Sequence, residues 1–278
     1  MAMYHNARID MPPYAQKIEI VTFGGVTGFG TGFIVDAFDR RWIVTCWHNL
    51  EPGTEIITGQ VNTKSLRFVN PEGPLIDLHS GRSVVGVRIN GIHADCAAIE
   101  IQNDEAPDVP RFLSGASMSA ENWPKPETIR IGGINGGPGL LVPVVANHIV
   151  QGFPGFDTNA PAITNRAVTV AGLPKPHPWM FAYFPAGARG LSGGPVVTIN
   201  GETSQLSGIH THTIGATDLK LDGVRSDNGA DAAAVLNSES GAAVPIHPLL
   251  IKLRNASIGI EIFQTNISMS NGKLHIDL

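Results

Sequence analysis

Gly190-Leu191-Ser192-Gly193-Gly194-Pro195-Val196-Val197-Thr198-Ile199-Asn200-Gly201 is the stretch on which the fold turns. A serine flanked by glycines can present its hydroxyl beside backbone N–H groups that converge on a developing oxyanion. The letters also satisfy G-x-S-x-G, the turn that leads from a strand directly into a helix in α/β-hydrolases, and a plain glycine turn would look the same. The residues after Ser192 argue for β structure. Pro195 and the β-branched residues beyond it favour a strand, and Asn200-Gly201 is a tight-hairpin signal. The chain holds 32 Gly and 20 Pro that punctuate many short apolar runs, which points to an all-β protein rather than a bundle of helices.

Working outward, the 278 residues suffice for two packed units. Residues 1–16 read as a polar lead. A first β unit is expected over 17–110, with strands near 17–23, 32–35, 41–45, 55–58, 65–68, 83–89 and 96–101. Residues 24–32 read as a glycine-rich turn. It is not a phosphate loop, because Gly-Phe-Ile-Val-Asp continues as strand and lacks the Gly-Lys-Ser/Thr ending. The polar, proline-containing stretch up to residue 127 supplies a linker, placed at 111–127. A second unit over 128–256 is expected to hold strands near 128–131, 140–149, 167–170, 179–183, 195–199 and 205–211. One helix is expected at 248–254, ended by Asn255. Residues 214–241 read as a flexible insertion. Residues 257–278 form a further hairpin turned by Asn271-Gly272.

A serine nucleophile needs a base. Thr45-Cys46-Trp47-His48-Asn49 sets a histidine at the end of an apolar strand, and Ala94-Asp95-Cys96-Ala97-Ala98 sets an aspartate before another, 47 positions later. Taken singly, the histidine could be a packed core residue and the aspartate a turn residue. Together they supply the imidazole that takes the serine proton and the carboxylate that fixes its tautomer and stabilises the imidazolium.

The segments TCWHN, ADCAAIEI and GLSGGPVV, in that order, resemble the chymotrypsin-like, or trypsin-like, serine protease family from about residue 17 to 254. The resemblance implies two six-stranded antiparallel β-barrels packed face to face, with a short C-terminal helix. His48 and Asp95 would come from the first barrel and Ser192 from the second, with an oxyanion hole made by the N–H groups of Gly190 and Ser192. Leu191 stands where members activated by propeptide cleavage carry aspartate, so activation by a buried N-terminal amine is not expected. The pattern is closer to bacterial glutamyl endopeptidases, cytoplasmic bacterial trypsin-like peptidases and viral chymotrypsin-like proteases. In these, the histidine matching His210 of Gly208-Ile209-His210-Thr211-His212-Thr213 hydrogen-bonds a Glu or Gln side chain before the cut bond. Thr211–Thr213, in the numbering of this chain, would pair with substrate as an added strand. Ala186 and Gly187 match the rest of the pocket, where glutamate-selective members carry threonine.

A serine endopeptidase acting on protein or peptide is therefore the leading expectation, held in check by a regulatory protein partner or a loop. A silent protease-fold scaffold and an α/β-hydrolase-type esterase are its competitors. Net charge is −5 with no Lys/Arg cluster, so nucleic acid is not an expected partner. No apolar run approaches a membrane span, and the first twenty residues lack a leader pattern, which predicts a cytoplasmic protein. No cofactor or metal is expected. His210 and His212 share a strand face at a spacing that could serve zinc, but no third ligand is in evidence. Cys46 and Cys96, beside the two first-unit site residues, read as small buried hydrophobes, with one internal bridge left open.

Overall fold

The computed structural model describes residues 4–5, 14–53, 57–69, 72–89, 92–114, 128–135, 142–152, 181–184, 190–200, 203–214, 240–257, 266–270 and 273–277. Among these residues the chain is mostly β with one short α-helix. Strands β1 (Tyr4–His5), β2 (Gln16–Thr22), β3 (Thr27–Ala37), β4 (Arg40–Thr45), β5 (Thr63–Phe68), β6 (Ile76–Asp77), β7 (Val84–Ile89), β8 (Ile92–Ile101) and β9 (Phe112–Ser114) come first. Then follow β10 (Thr128–Asn135), β11 (Val142–Gly152), β12 (Phe181–Phe184), β13 (Pro195–Asn200), β14 (Thr203–Ile214) and β15 (Ser240–Pro245). The helix α1 (His247–Ser257) and a hairpin of β16 (Asn266–Ser270) and β17 (Lys273–Asp277) close the chain.

The first sheet is a curled antiparallel half-barrel, β6-β5-β2-β3-β4-β8-β7. Its curl is built into β3, whose first half pairs with β2 up to Gly32 and whose second half pairs with β4 from Phe33 onward. Alternation drives the burial: Ile18 and Ile20 of β2 are 0% and 4% exposed and join Ile34, Ile43, Leu66 and Ile99 in one core. The opposite face is covered too, since Phe33 packs edge-on against Phe112, with ring centroids 5.5 Å apart. The second sheet runs β1-β14-β13-β10-β11-β12-β15, and β15 pairs again with β14, so its ladder returns to β14 and leaves β1 outside the loop. Helix α1 leaves β15 and packs on β7, β8 and β3, tying the second sheet to the first.

Several expectations need correction. The glycine-rich turn is shorter than 24–32, because β3 begins at Thr27. Gly28, Gly30 and Gly32 are strand residues, and Gly30 is required by close approach: a Cβ there would lie 2.6 Å from the Asn49 amide. Within the lead at 1–16, Tyr4–His5 form β1, which pairs with β14 (Tyr4↔Gln205). The linker at 111–127 opens with β9, which pairs in parallel with β3 because Phe112, fully buried, fills the outer face. Residues 57–58 are irregular, the Thr58 N–H being turned to Glu51. Helix α1 continues through Asn255, which is buried, to Ser257. The terminal hairpin forms as expected but extends the first sheet, through β16 beside β7. The 214–241 insertion contributes Ile214 to β14 and Ser240–Gly241 to β15; its remainder, 215–239, and the strand expected at 167–170 lie outside the described residues. No helix of the described residues is long and apolar enough to cross a membrane.

Candidate functional site

Strand β4 is buried from Trp42 to its end, and Cys46 continues it in extended geometry, φ −74° and ψ 148°. The chain then turns through one 3-10 turn, Trp47–Asn49. Glu51 fixes that turn from within. Its carboxylate, 1% exposed, accepts the Trp47 indole N–H (3.1 Å), the Thr58 hydroxyl (2.6 Å) and the N–H groups of Thr58 and Gly59. His48 is thereby presented at the surface with about a third of its side chain exposed.

Register does the rest. Thr45 pairs with Ala97, so Asp95 reaches two residues beyond the end of β4, level with the turn. Its fully buried carboxylate accepts the His48 backbone N–H at 2.9 Å through Oδ1, and meets His48 Nδ1 at 2.7 Å through Oδ2. Since a carboxylate only accepts, Nδ1 carries the proton and the lone pair of the neutral ring is on Nε2. Burial by itself would depress this imidazole, but the charge and the hydrogen bond of Asp95 together outweigh it and hold His48 above its ordinary value.

Ser192 stands on a turn bracketed by Gly190 (φ 94°) and Gly193 (φ 91°). At Gly193 a Cβ would lie 2.0 Å from the Thr31 carbonyl oxygen, so both backbone conformation and space demand glycine. The Leu191 carbonyl accepts the Gly194 N–H at 2.7 Å. In a trans peptide the N–H points opposite to the carbonyl, so the Ser192 N–H is aimed away from the turn. The Ser192 hydroxyl donates to the Thr211 carbonyl at 3.2 Å. Pro195 opens β13 opposite Ile209, so the exit from the serine is a strand, unlike the strand-to-helix elbow.

The two halves are joined through backbone groups. The Ser192 carbonyl accepts the Thr31 N–H at 2.9 Å and the Asn49 amide at 3.3 Å. The His210 carbonyl accepts the Gly193 N–H at 2.8 Å and the Cys46 thiol at 3.1 Å. Through these bonds the chain around Ser192 and His210 meets Cys46 and Asn49, which flank Trp47 and His48 in sequence. His210 and Thr211 are each 1% exposed. A register shift between His210 and His212 interrupts the regular alternation on which a shared face for the two histidines relied. Thr213 pairs with Gly241 of β15; Ala186 and Gly187 lie outside the described residues.

Cys46 and Cys96 are both free and fully buried, and the β4–β8 register continued one step sets them opposite each other. Burial pushes both thiols up, with the Asp95 charge adding to it, so they stay protonated and inert. Cys46, His48 and Asp95 hold ligand-type atoms within 4.8 Å of one another. Each already has a partner: the two Asp95 oxygens face His48, and the thiol faces the His210 carbonyl.

Thr31, Thr45, Asn49 and Glu51 organise the site and are not evident as such in the sequence. The Asn after His48 and the Gly-Thr-Gly of 30–32 are the local signals, but neither names a partner. Compared with known proteins, the sequence matches no protein-family model and no curated protein.

Proposed function

We propose that this chain is a serine endopeptidase of the chymotrypsin-like kind, with Ser192 as nucleophile, His48 as base and Asp95 as the group that orients the base. The observation that carries the reading is the doubly bonded Asp95 carboxylate, which fixes both the backbone and the Nδ1 of His48 at 2.9 and 2.7 Å. In the reaction, Ser192 Oγ attacks the scissile carbonyl carbon while its proton passes to His48 Nε2. The oxyanion is met by the N–H groups of Gly190 and Ser192. His48 returns the proton to the leaving amine, and water repeats the sequence to release the acid. The hydroxyl must first rotate from the Thr211 carbonyl towards His48. That rotation on substrate binding separates a working protease from a silent scaffold.

Two packed barrels, the first completed from the half-barrel described, are the architecture this reading brings with it. A Glu or Gln before the cut bond would meet His210, whose burial suits it to donate to an acidic or amide group rather than to water. The backbone at Thr211–Thr213, beyond the last β13 pair at Ile209, would take the substrate as an added strand. Free Cys46 and Cys96 support a reducing, cytoplasmic setting, with a protein partner or the segment within 214–241 as the restraint.

The test is labelling with a fluorophosphonate and cleavage-site profiling, wild type against Ser192→Ala. Labelling confined to Ser192 and cleavage after Glu or Gln are expected. A folded wild type that neither labels nor cleaves sinks the enzyme reading, and cleavage after Arg, Lys or large aromatics sinks the role given to His210.

A further inference from the structure

We infer that Thr31 is a positioning residue which holds the nucleophile turn in its working shape from the opposite sheet, an inference that rests on the protease reading above. The turn has little of its own to hold it. Two of its residues, Gly190 and Gly193, sit at positive φ, where glycine has wide freedom. Leu191, in the position before the serine, is apolar and buried, so it brings no charge to anchor the loop.

Thr31 supplies two anchors at once. Its hydroxyl donates to the Gly190 carbonyl at 2.6 Å, and its backbone N–H donates to the Ser192 carbonyl at 2.9 Å. These carbonyls bracket the Ser192 N–H, one on each side. With the Leu191 carbonyl held by Gly194, all three successive peptide planes are fixed, and the Ser192 N–H cannot swing without breaking one of these bonds. The anchor is itself rigid. Thr31 is fully buried and β-branched, and its own carbonyl accepts the Thr45 hydroxyl at 2.8 Å. Thr45 in turn accepts the Asn49 amide at 2.8 Å, and Asn49 reaches back to the Ser192 carbonyl. The ring Thr31–Thr45–Asn49–Ser192 therefore transmits the rigidity of β3 and β4 to a turn 159 residues away from Thr31 in sequence. In this arrangement a side chain of the first sheet orders the Ser192 amide of the oxyanion hole, with no processed terminus required.

Thr31→Val keeps the shape and the backbone N–H but removes the hydroxyl; Thr31→Ser restores the hydroxyl. Peptide cleavage, fluorophosphonate labelling, inhibition by a peptide boronate and hydrogen exchange over residues 190–194 are compared, with Tm as the check on folding. For Thr31→Val, kcat and boronate affinity should fall about 10- to 100-fold while KM moves less than about threefold, as expected when an oxyanion donor is misaimed. Exchange over 190–194 should quicken, and Thr31→Ser should return all of these to within about threefold of wild type. Thr31→Ala gives the same comparison without added carbon should valine impair folding. Wild-type kcat, boronate affinity and exchange in a folded Thr31→Val would overturn the proposal. An inert wild type would instead overturn the protease reading, and the exchange comparison then decides by itself whether Thr31 holds the turn.

Discussion

His48 and Asp95 hang from strands buried on both faces, whereas Ser192 stands on a turn that is mostly backbone. In the first region, β4 and β8 are locked by side-chain packing, with Trp42, Ile43, Val44, Ala97, Ala98 and Ile99 all fully buried. In the second, position comes from two positive-φ glycines and from hydrogen bonds donated by Thr31, Asn49 and Gly194. The two regions should therefore fail differently. Loss of apolar volume should threaten the first through stability, because a cavity is not relieved elsewhere. Changes to backbone freedom or to a single donor should threaten the second through activity, because a turn can be misaimed without unfolding anything.

On the proposed reading, the largest effect is expected at Asp95, where the first region would carry chemistry rather than packing. Asp95→Asn keeps the shape of the carboxylate but removes its charge and can favour the wrong imidazole tautomer, and should lower kcat/KM by about 10⁴-fold. The pH profile sharpens the point. In the proposed reaction His48 must be neutral to act as base, and its value is held above the ordinary 6.5. Wild-type kcat/KM should therefore climb through a limb lying above pH 6.5, and this limb should move downward in Asp95→Asn, where only the depressing effect of burial remains. A limb that stays in place would show that Asp95 does not control the titration. The same raised value stabilises the fold below pH 6.5, and that contribution fades as pH rises through it.

Next comes a change confined to the turn. Gly193→Ala forces a Cβ to within 2.0 Å of the Thr31 carbonyl oxygen and 2.4 Å of the Thr45 hydroxyl, at a φ of 91° that alanine resists. The turn must move, and fluorophosphonate labelling should slow by roughly 10²- to 10³-fold, the order lost with an oxyanion donor. The far-UV spectrum and the burial of Trp42 and Trp47 should be unchanged. Loss of the first sheet along with the label would break the distinction between the two regions.

That distinction also explains what could be read from the letters. GLSGGPVV, TCWHN and ADCAAIEI are local strings whose residue types raise the expectation of a triad, and β2 and β4 follow from short apolar runs. Partnerships across the chain leave no such trace. Thr31 looks like any strand threonine, because its meaning lies in a carbonyl 159 residues away. Strand β9 was hidden by its polar, proline-containing neighbours, although Phe112 alone gives it a reason to pack. The bulge after His210 is equally silent, since it depends on how β15 meets β14 rather than on the histidines themselves.

Ile99→Ala probes the packed region directly. Ile99 is fully buried in the core opposite Ile43, so its truncation should cost about 2–5 kcal/mol in urea unfolding. The kcat per folded molecule should stay within about threefold of wild type, because the turn hangs from backbone bonds the cavity does not touch. A large fall in kcat at unchanged stability would mean that the core sets the aim of the site as well as its support.

The smallest effect concerns the helix that ties the two sheets together. His247 opens α1 and is buried, and burial pulls its imidazole down to about 4 from an ordinary 6.5. A depressed value means that the folded state holds the neutral ring, while the unfolded chain takes up a proton once pH falls below 6.5. Its stabilising contribution is thus complete above pH 6.5 and is lost as pH falls towards 4. Between pH 7 and pH 5 this amounts to about 2 kcal/mol from this residue. In His247→Gln the urea midpoint should consequently fall less between those pH values than in wild type. Because α1 packs on β7, β8 and β3, the loss belongs to the packed region. Labelling of Ser192, corrected for the protonation of His48, should decline only in step with the folded fraction; a steeper decline would place His247 in control of the turn instead.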